Sequence, residues 1–127
     1  MTLQVSDTRT GQKRPFKPLG DPVRMYVCGM TPKDAPHIGH GFMFVHMDLI
    51  RRYLEHSGYT VRHLQNFTDI DDKIIDRARA MGSDPLDYAE DMTRAYFDVL
   101  DRLHVLHADQ FPTVTASIAE IVTAVQN

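Results

Sequence analysis

The side chains best suited to chemistry lie together in residues 25–40, MYVCGMTPKDAPHIGH. An apolar run ends there at Cys28, the only cysteine of the chain, and a turn-rich loop leads on to His37 and His40. The thiol has three possible uses: a metal ligand, a free thiol or a small buried side chain. Two imidazoles three residues apart lie on one side of a first helical turn, where the helix dipole favours an anion. The pattern therefore predicts a phosphate or nucleotide site.

Two glycines accompany the histidines in the same turn. Gly39 and Gly41 remove side chains there, which lets a ligand approach the backbone closely. Each glycine costs up to about 1 kcal/mol of helix stability relative to alanine, so stability alone does not explain them. A histidine pair at a helix start is also a common capping or solvent-facing feature, and the spacing is compatible with both interpretations.

Local patterns predict a strand, a helix and a second strand around this cluster. The run 23–28 predicts a buried strand, the helix extends from His37 to the stop signal at 57–58, and residues 60–67 predict the second strand. The helix carries apolar residues at helical spacing: Ile38, Phe42, Val45, Leu49, Ile50, Tyr53 and Leu54. A strand–helix–strand unit of this size predicts parallel strands joined by a right-handed crossover.

Three further helices are predicted over residues 68–82, from 84 or 85 to about 106, and over 117–125. Thr68 is the expected N-cap of the first, with acidic residues in its first turn. Residues 1–22, rich in proline, glycine and charge, predict an arm that precedes one domain. Because a two-stranded parallel sheet is marginal alone, we expect a further strand either in that arm or from outside this chain.

Composition limits the possible functions. With 127 residues and 43% hydrophobic content, the chain predicts one core, and a net charge of -3 with a pI near 6.1 excludes a general basic surface for nucleic acid. No apolar run approaches the roughly 20 residues of a membrane span, and the N-terminus has no cleavable hydrophobic region. These features predict a cytoplasmic protein with no membrane partner.

A second polar cluster follows the second predicted strand. Asn66, Thr68 and Asp69 lie at its carboxyl end, as Cys28 and the loop do at the end of the first. Ligands of open parallel sheets bind beyond the carboxyl ends of the strands, so we expect the two clusters to face one crevice.

At this point several motifs show a family resemblance. MYVCG, HIGH, RRYLEHSGY and NFTDIDDKIIDRA, with the leader TRTGQKRPFKP, resemble the N-terminal half of the catalytic domain of cysteinyl-tRNA synthetase, a class I aminoacyl-tRNA synthetase. The loop of residues 31–35 is also similar to that of the mycothiol-pathway cysteine ligase. The resemblance implies an α/β, Rossmann-like, HIGH-type nucleotide-binding half-domain over residues 23–127, with parallel strands, crossover helices and a helical C-terminal part.

The resemblance also implies substrates, cofactors and residue roles. The implied activity is activation of cysteine with ATP, with zinc as a second cofactor and Cys28 as its one family ligand present. The implied catalytic residues are His37 and His40. The implied nucleotide-binding residues are Thr31, Lys33, His37, Gly39 and His40. The implied substrate-binding residues are Cys28, Gly29, Thr31, Asn66 and Thr68.

This sequence also departs from the family pattern. It has no second cysteine and no lysine loop of KMSKS type, and Lys33 stands where both relatives usually carry tyrosine. We interpret Lys33 as a source of phosphate-binding charge or as a solvated surface lysine. The chain is expected to be a fragment, a split subunit or a shortened paralogue, with tRNA as partner only if other domains complete it. Alternative functions are a non-catalytic interaction module, including a homo-oligomer, and a ligase with a small-molecule acceptor.

Overall fold

The computed structural model describes residues 3–127. The elements in chain order are strands β1 (Gln4–Asp7), β2 (Gln12–Pro15) and β3 (Val23–Val27), helix α1 (Ile38–His56), strand β4 (Val61–Gln65) and helices α2 (Asp72–Met81), α3 (Pro85–Arg102) and α4 (Ile118–Gln126). Strands β3 and β4 pair in parallel with α1 as the crossover, which confirms the predicted α/β unit. Within residues 3–127, no helix has the length and apolar character needed to cross a membrane.

The parallel sheet is covered on one face only. In β4, Val61, His63 and Gln65 are buried whereas Arg62 is exposed, as the alternation in the sequence predicts. Behind the buried face lies a core of residues from both strands' ends and the helices: Val27, Met30, Phe44, Phe67, Tyr96, Leu100 and Val105. The core therefore joins the carboxyl end of the sheet to α1 and α3.

A third extended segment, residues 110–113, runs beside β4. The Gln65 amide donates to the Gln110 carbonyl at 3.0 Å, and the Phe67 amide donates to the Pro112 carbonyl at 2.9 Å. The arm also forms strands, but β1 and β2 pair antiparallel with each other in a separate sheet. The expectation that the arm supplies a further strand of the parallel sheet was therefore wrong, and residues 110–113 lie beside β4 instead. Pro112 made this segment read as a loop in the sequence, because proline has no N–H to donate to a sheet. Its carbonyl can still accept a hydrogen bond at a sheet edge.

Helix α1 buries a different side from the one its apolar spacing suggests. Ile38 is 90% exposed, Phe42 66% and Leu49 63%. The buried positions of α1 are Gly41, Phe44, Asp48 and Leu54. Periodicity correctly predicted the helix, but it does not say which neighbour covers an apolar stripe, and here only Leu54 of the expected set is buried.

Two helix boundaries also differ from those expected. Helix α2 begins after Asp71, whose carboxylate accepts from the Lys73 amide at 2.9 Å, so Thr68 is not its N-cap. Helix α3 ends at Arg102 rather than near residue 106, because His104 adopts a left-handed backbone conformation with φ of 55°. Residues 103–109 are consequently a turn that leads back to the sheet.

Buried and half-buried charges hold this turn against α1. The Asp48 carboxylate accepts from Arg52 at 2.7 Å and from the Leu106 amide at 3.1 Å, while Arg52 also donates to the His104 carbonyl at 2.9 Å. Burial of Asp48 is tolerated because its oxygens are paired in this way. These contacts fix the turn so that the following residues, 110–113, lie beside β4.

His63 is buried beneath this turn. It is 5% exposed, and neither ring nitrogen has a hydrogen-bond partner within residues 3–127. Burial lowers its pKa, the Arg51 guanidinium lowers it further, and the Asp109 and Asp48 carboxylates partly offset both effects. The neutral ring is therefore favoured in the folded protein.

This histidine predicts acid sensitivity. Below pH 6.5 the unfolded chain takes up a proton at His63 that the folded protein resists, so the free energy of unfolding is expected to decrease as pH falls from 7.5 to 5.5. The contribution is at most about 1.4 kcal/mol per pH unit. Urea unfolding at several pH values measures it. His63→Leu should flatten the dependence, whereas the exposed His56→Ala should not; equal slopes in both variants would refute this origin.

Candidate functional site

The carboxyl ends of β3 and β4 are fastened to each other. The Asn66 side-chain oxygen accepts from the Gly29 amide at 3.0 Å and from the Tyr26 hydroxyl at 2.9 Å. The Thr68 amide donates to the Met30 carbonyl at 3.4 Å. The structure thus brings the two predicted polar clusters to one edge of the sheet.

Gly29 is required by this contact. A Cβ atom at position 29 would lie 1.5 Å from the Asn66 carbonyl oxygen. Because this oxygen belongs to the backbone, a side-chain rotation cannot relieve the clash. Cys28 beside it is exposed, so it is not small buried filler. Asn66 itself is occupied in joining the strands, a structural contact that the sequence did not predict.

The acidic residue that follows this edge is also engaged within the protein. Both oxygens of Asp69 accept hydrogen bonds from Thr115, one from its amide at 3.0 Å and one from its hydroxyl. Asp69 therefore ties the end of β4 to the segment that leads into α4.

The two histidines begin α1 as a reciprocal cap. The Gly39 amide donates to Nδ1 of His37 at 3.1 Å, and the His37 amide donates to Nδ1 of His40 at 3.2 Å. The rings stack with centroids 4.0 Å apart. Because a backbone N–H only donates, both Nδ1 atoms are unprotonated acceptors, and each neutral ring carries its proton on Nε2. The predicted capping role is confirmed, and it leaves two Nε2–H donors for a ligand.

The cap changes how an anion can bind here. The His40 and Gly41 amides donate to the His37 carbonyl at 2.9 and 3.2 Å, and the Gly39 amide is bound to the ring of His37. These three amides are therefore already paired within the protein. The imidazole Nε2–H groups are the donors that this arrangement leaves for an anion, and the helix dipole would add to the field.

The environment of His40 favours the neutral form of its ring. Burial lowers the pKa of His40, and the nearby charges of His37 and Lys33 lower it further. The Lys33 backbone is held on both sides, since its amide donates to the Thr31 carbonyl at 2.8 Å and its carbonyl accepts from the Tyr88 hydroxyl at 2.8 Å. Lys33 therefore belongs to the electrostatic surroundings of the histidine pair.

A cavity of 320 Å³ opens beside His37. Its lining comes from the start of α1 and the end of α3: Pro36, His37, Ile38, Gly41, Val99, Arg102 and Leu103. The α3 residues were not predicted to line a cavity. Their i, i+3, i+4 spacing identifies one helix face, but nothing local indicates that this face reaches the histidines.

The residues present do not form a zinc site. A tetrahedral zinc site takes at least three protein ligands, and no group of three His, Cys, Asp or Glu residues lies suitably close within residues 3–127. Cys28 alone does not fit the metal, so no chemical step is assigned to zinc here.

The crossover unit, the strand edge and the capped histidines define a HIGH-type α/β nucleotide-binding domain of the class I aminoacyl-tRNA synthetases. Residues 15–127 match the family described as "tRNA synthetases class I (C) catalytic domain". The chain belongs to that family.

Similar proteins agree with this membership. A cysteine–tRNA ligase of Pyrococcus horikoshii is 47% identical over 127 residues, 99% of this chain and 27% of the relative. One from Pyrococcus furiosus is 50% identical over 121 residues, which are 94% of this chain and 25% of the relative. One from Gloeothece citriformis is 48% identical over 120 residues, which are 93% of this chain and 24% of the relative. The chain thus spans about a quarter of the length of these relatives.

A solved structure supports the fold. Methionyl-tRNA synthetase of Mycobacterium tuberculosis, in complex with methionyl-adenylate, matches with a TM-score of 0.65 and 26% identity. The match covers 72% of this chain and 18% of that one. The predicted Rossmann-like fold is therefore confirmed.

Proposed function

We propose that this chain supplies the HIGH-bearing half of a catalytic domain that activates cysteine with ATP. The observation that carries the proposal is the capped pair His37 and His40, which leaves two Nε2–H donors at the start of α1. Membership in the class I cysteine family, and relatives named as cysteine–tRNA ligases, identify the substrates to test.

In the proposed reaction the carboxylate of cysteine attacks the α-phosphorus of ATP, and pyrophosphate leaves as cysteinyl-adenylate forms. Negative charge builds on the phosphate oxygens in the transition state. His37 and His40 stabilise that charge through Nε2–H, preorganised by the cap, and no covalent enzyme intermediate is required. Neutral rings suffice for this role, because each already carries the donor proton.

The remaining site residues take supporting roles in this proposal. The nucleotide contacts Thr31, Lys33, His37, Gly39 and His40. Cysteine lies toward Cys28, Gly29, Thr31, Asn66 and Thr68. Residues 23–127 form the nucleotide-binding unit and 1–22 its arm, in a cytoplasmic protein. Transfer to tRNA requires another chain or further domains.

The direct test is cysteine-dependent exchange of labelled pyrophosphate into ATP by the purified chain. Exchange is expected in the wild type and loss is expected in His37→Ala/His40→Ala. Serine in place of cysteine is the substrate control. Absence of exchange in the wild type would count against autonomous cysteine activation by this chain. Persistence of exchange in the double variant would count against activation through these histidines.

A second candidate is a binding module, and the exposed stripe of α1 favours it. Three large apolar side chains there are at least 63% exposed: Ile38, Phe42 and Leu49. No other part of the described chain covers this apolar face of the helix, and exposed apolar patches are typical of binding surfaces. Such a module would self-associate or bind a partner subunit without any dependence on His37 or His40. Sedimentation of the wild type and the double histidine variant separates this function from nucleotide activation.

The acceptor of the activated cysteine is a separate question. The Thr-Pro-Lys-Asp-Ala loop of residues 31–35 is the feature that favours a small-molecule amine over tRNA. Exchange activity followed by cysteine transfer to an amino sugar, and not to tRNA, would support that form of the proposal.

A further inference from the structure

A small charged pocket lies between the loop before α1 and the first turns of α2. It encloses 200 Å³. Its lining consists of Lys33, Asp34, Lys73, Asp76 and Arg77. Three cations and two anions therefore converge from two segments that the fold brings together.

The carboxylates of this pocket already have partners. Asp34 pairs with Arg77 at 3.2 Å, and Asp76 pairs with Arg79 at 3.6 Å. In contrast, neither Lys33 nor Lys73 forms an ion pair within residues 3–127. The pocket thus presents two ammonium groups whose charge no protein carboxylate neutralises at contact distance.

Both lysines extend from fixed backbone. The Lys33 amide and carbonyl are each hydrogen-bonded, to Thr31 and Tyr88, and the Lys73 amide donates to the Asp71 carboxylate in the first turn of α2. The Lys33 charge is close enough to His40 to lower the pKa of that imidazole. Lys33 therefore links the pocket electrostatically to His40.

We propose that this pocket binds the diphosphate end of the nucleotide, the β- and γ-phosphates that leave as pyrophosphate, with Lys33 and Lys73 as its cationic ligands. Lysine suits this task as a compact charge with three donors. A volume of 200 Å³ accommodates phosphate groups rather than a whole nucleotide, whose base and ribose need a larger cavity. The inference rests on the proposed ATP-dependent function, and it adds Lys73 on α2 to the site.

Titration calorimetry with inorganic pyrophosphate, ATP and AMP tests the pocket. Lys33→Ala and Lys73→Ala are each expected to weaken pyrophosphate and ATP about fivefold. AMP lacks the two outer phosphates, so its affinity should change by less than about twofold. Lys13→Ala on β2 is the matched control, an exposed lysine outside the pocket, and should bind all three like the wild type.

Three results would overturn the proposal. The first is absence of pyrophosphate binding to the wild type. The second is an equal loss for AMP and ATP in the lysine variants. The third is loss of binding to a short single-stranded RNA with pyrophosphate affinity unchanged, which would assign the lysines to RNA.

Failure of the proposed function is distinguishable from failure of the pocket. ATP affinity that depends on Lys33 and Lys73, together with unchanged pyrophosphate exchange in His37→Ala/His40→Ala, would support the pocket and contradict the role of the histidines in activation. Exchange that depends on the histidines, with pyrophosphate and ATP affinities unchanged in both lysine variants, would contradict the pocket and leave the activation proposal standing.

Discussion

Gly29→Ala is expected to lower the free energy of unfolding by about 2–4 kcal/mol. The new Cβ would lie 1.5 Å from the Asn66 carbonyl oxygen, so the ends of β3 and β4 must separate to admit it. Separation also stretches the 3.0 Å bond from the Gly29 amide to the Asn66 side chain. Urea unfolding followed by circular dichroism measures the change.

The matched control is Gly20→Ala. No atom lies within 4 Å of the Cβ that alanine would add at position 20, and its backbone is not left-handed. Its unfolding free energy should stay within about 0.5 kcal/mol of the wild type. If Gly29→Ala were as stable as Gly20→Ala, the close approach between the strand ends would not exist in solution.

His40→Asn is expected to separate the two roles of that histidine. The asparagine side-chain oxygen takes the position of Nδ1 and accepts from the His37 amide, but asparagine has no group at the position of Nε2. Thermal stability should therefore remain within about 0.5 kcal/mol of the wild type. Cysteine-dependent pyrophosphate exchange should fall by about a hundredfold or more, as for loss of one preorganised donor to a transition-state anion.

His40→Gln is the complementary variant. Its amide reaches toward the Nε2 position, so it should retain more exchange than His40→Asn while losing part of the cap. Substantial exchange in His40→Asn, with loss only in variants that disrupt the cap, would reduce the histidine to a helix-capping residue. Measuring stability and exchange on the same preparations makes that distinction direct.

Much of the local structure was predictable, because its signals lie close together along the chain. The apolar run before Gly29 predicted β3, the stop at Ser57 and Gly58 ended α1, and the alternation in β4 correctly separated Val61 from Arg62. The HIGH segment likewise indicated a capped helix start. Short-range sterics and hydrogen bonds produce these features, so a few neighbouring residues are enough to predict them.

The course of residues 103–113 could not be predicted from local pattern. The end of α3 depends on the left-handed residue His104, and the turn that follows is held by Asp48 and Arg52 from a helix about fifty residues earlier. The carbonyls of Gln110 and Pro112 then accept hydrogen bonds beside β4 despite a loop-like sequence. Each of these contacts stabilises the fold only after the chain has folded back on itself.

The sequence by itself determined the α/β class, the crossover unit, the family and the identity of the histidine pair, because these depend on residue type and short spacing. Only the tertiary structure decided which side of α1 is buried, that Gly29 must pass the Asn66 carbonyl, and that Lys33 and Lys73 line one pocket. Residues distant in sequence meet through the packing of whole elements. No local propensity carries that information, since the same helix pattern is compatible with several neighbours.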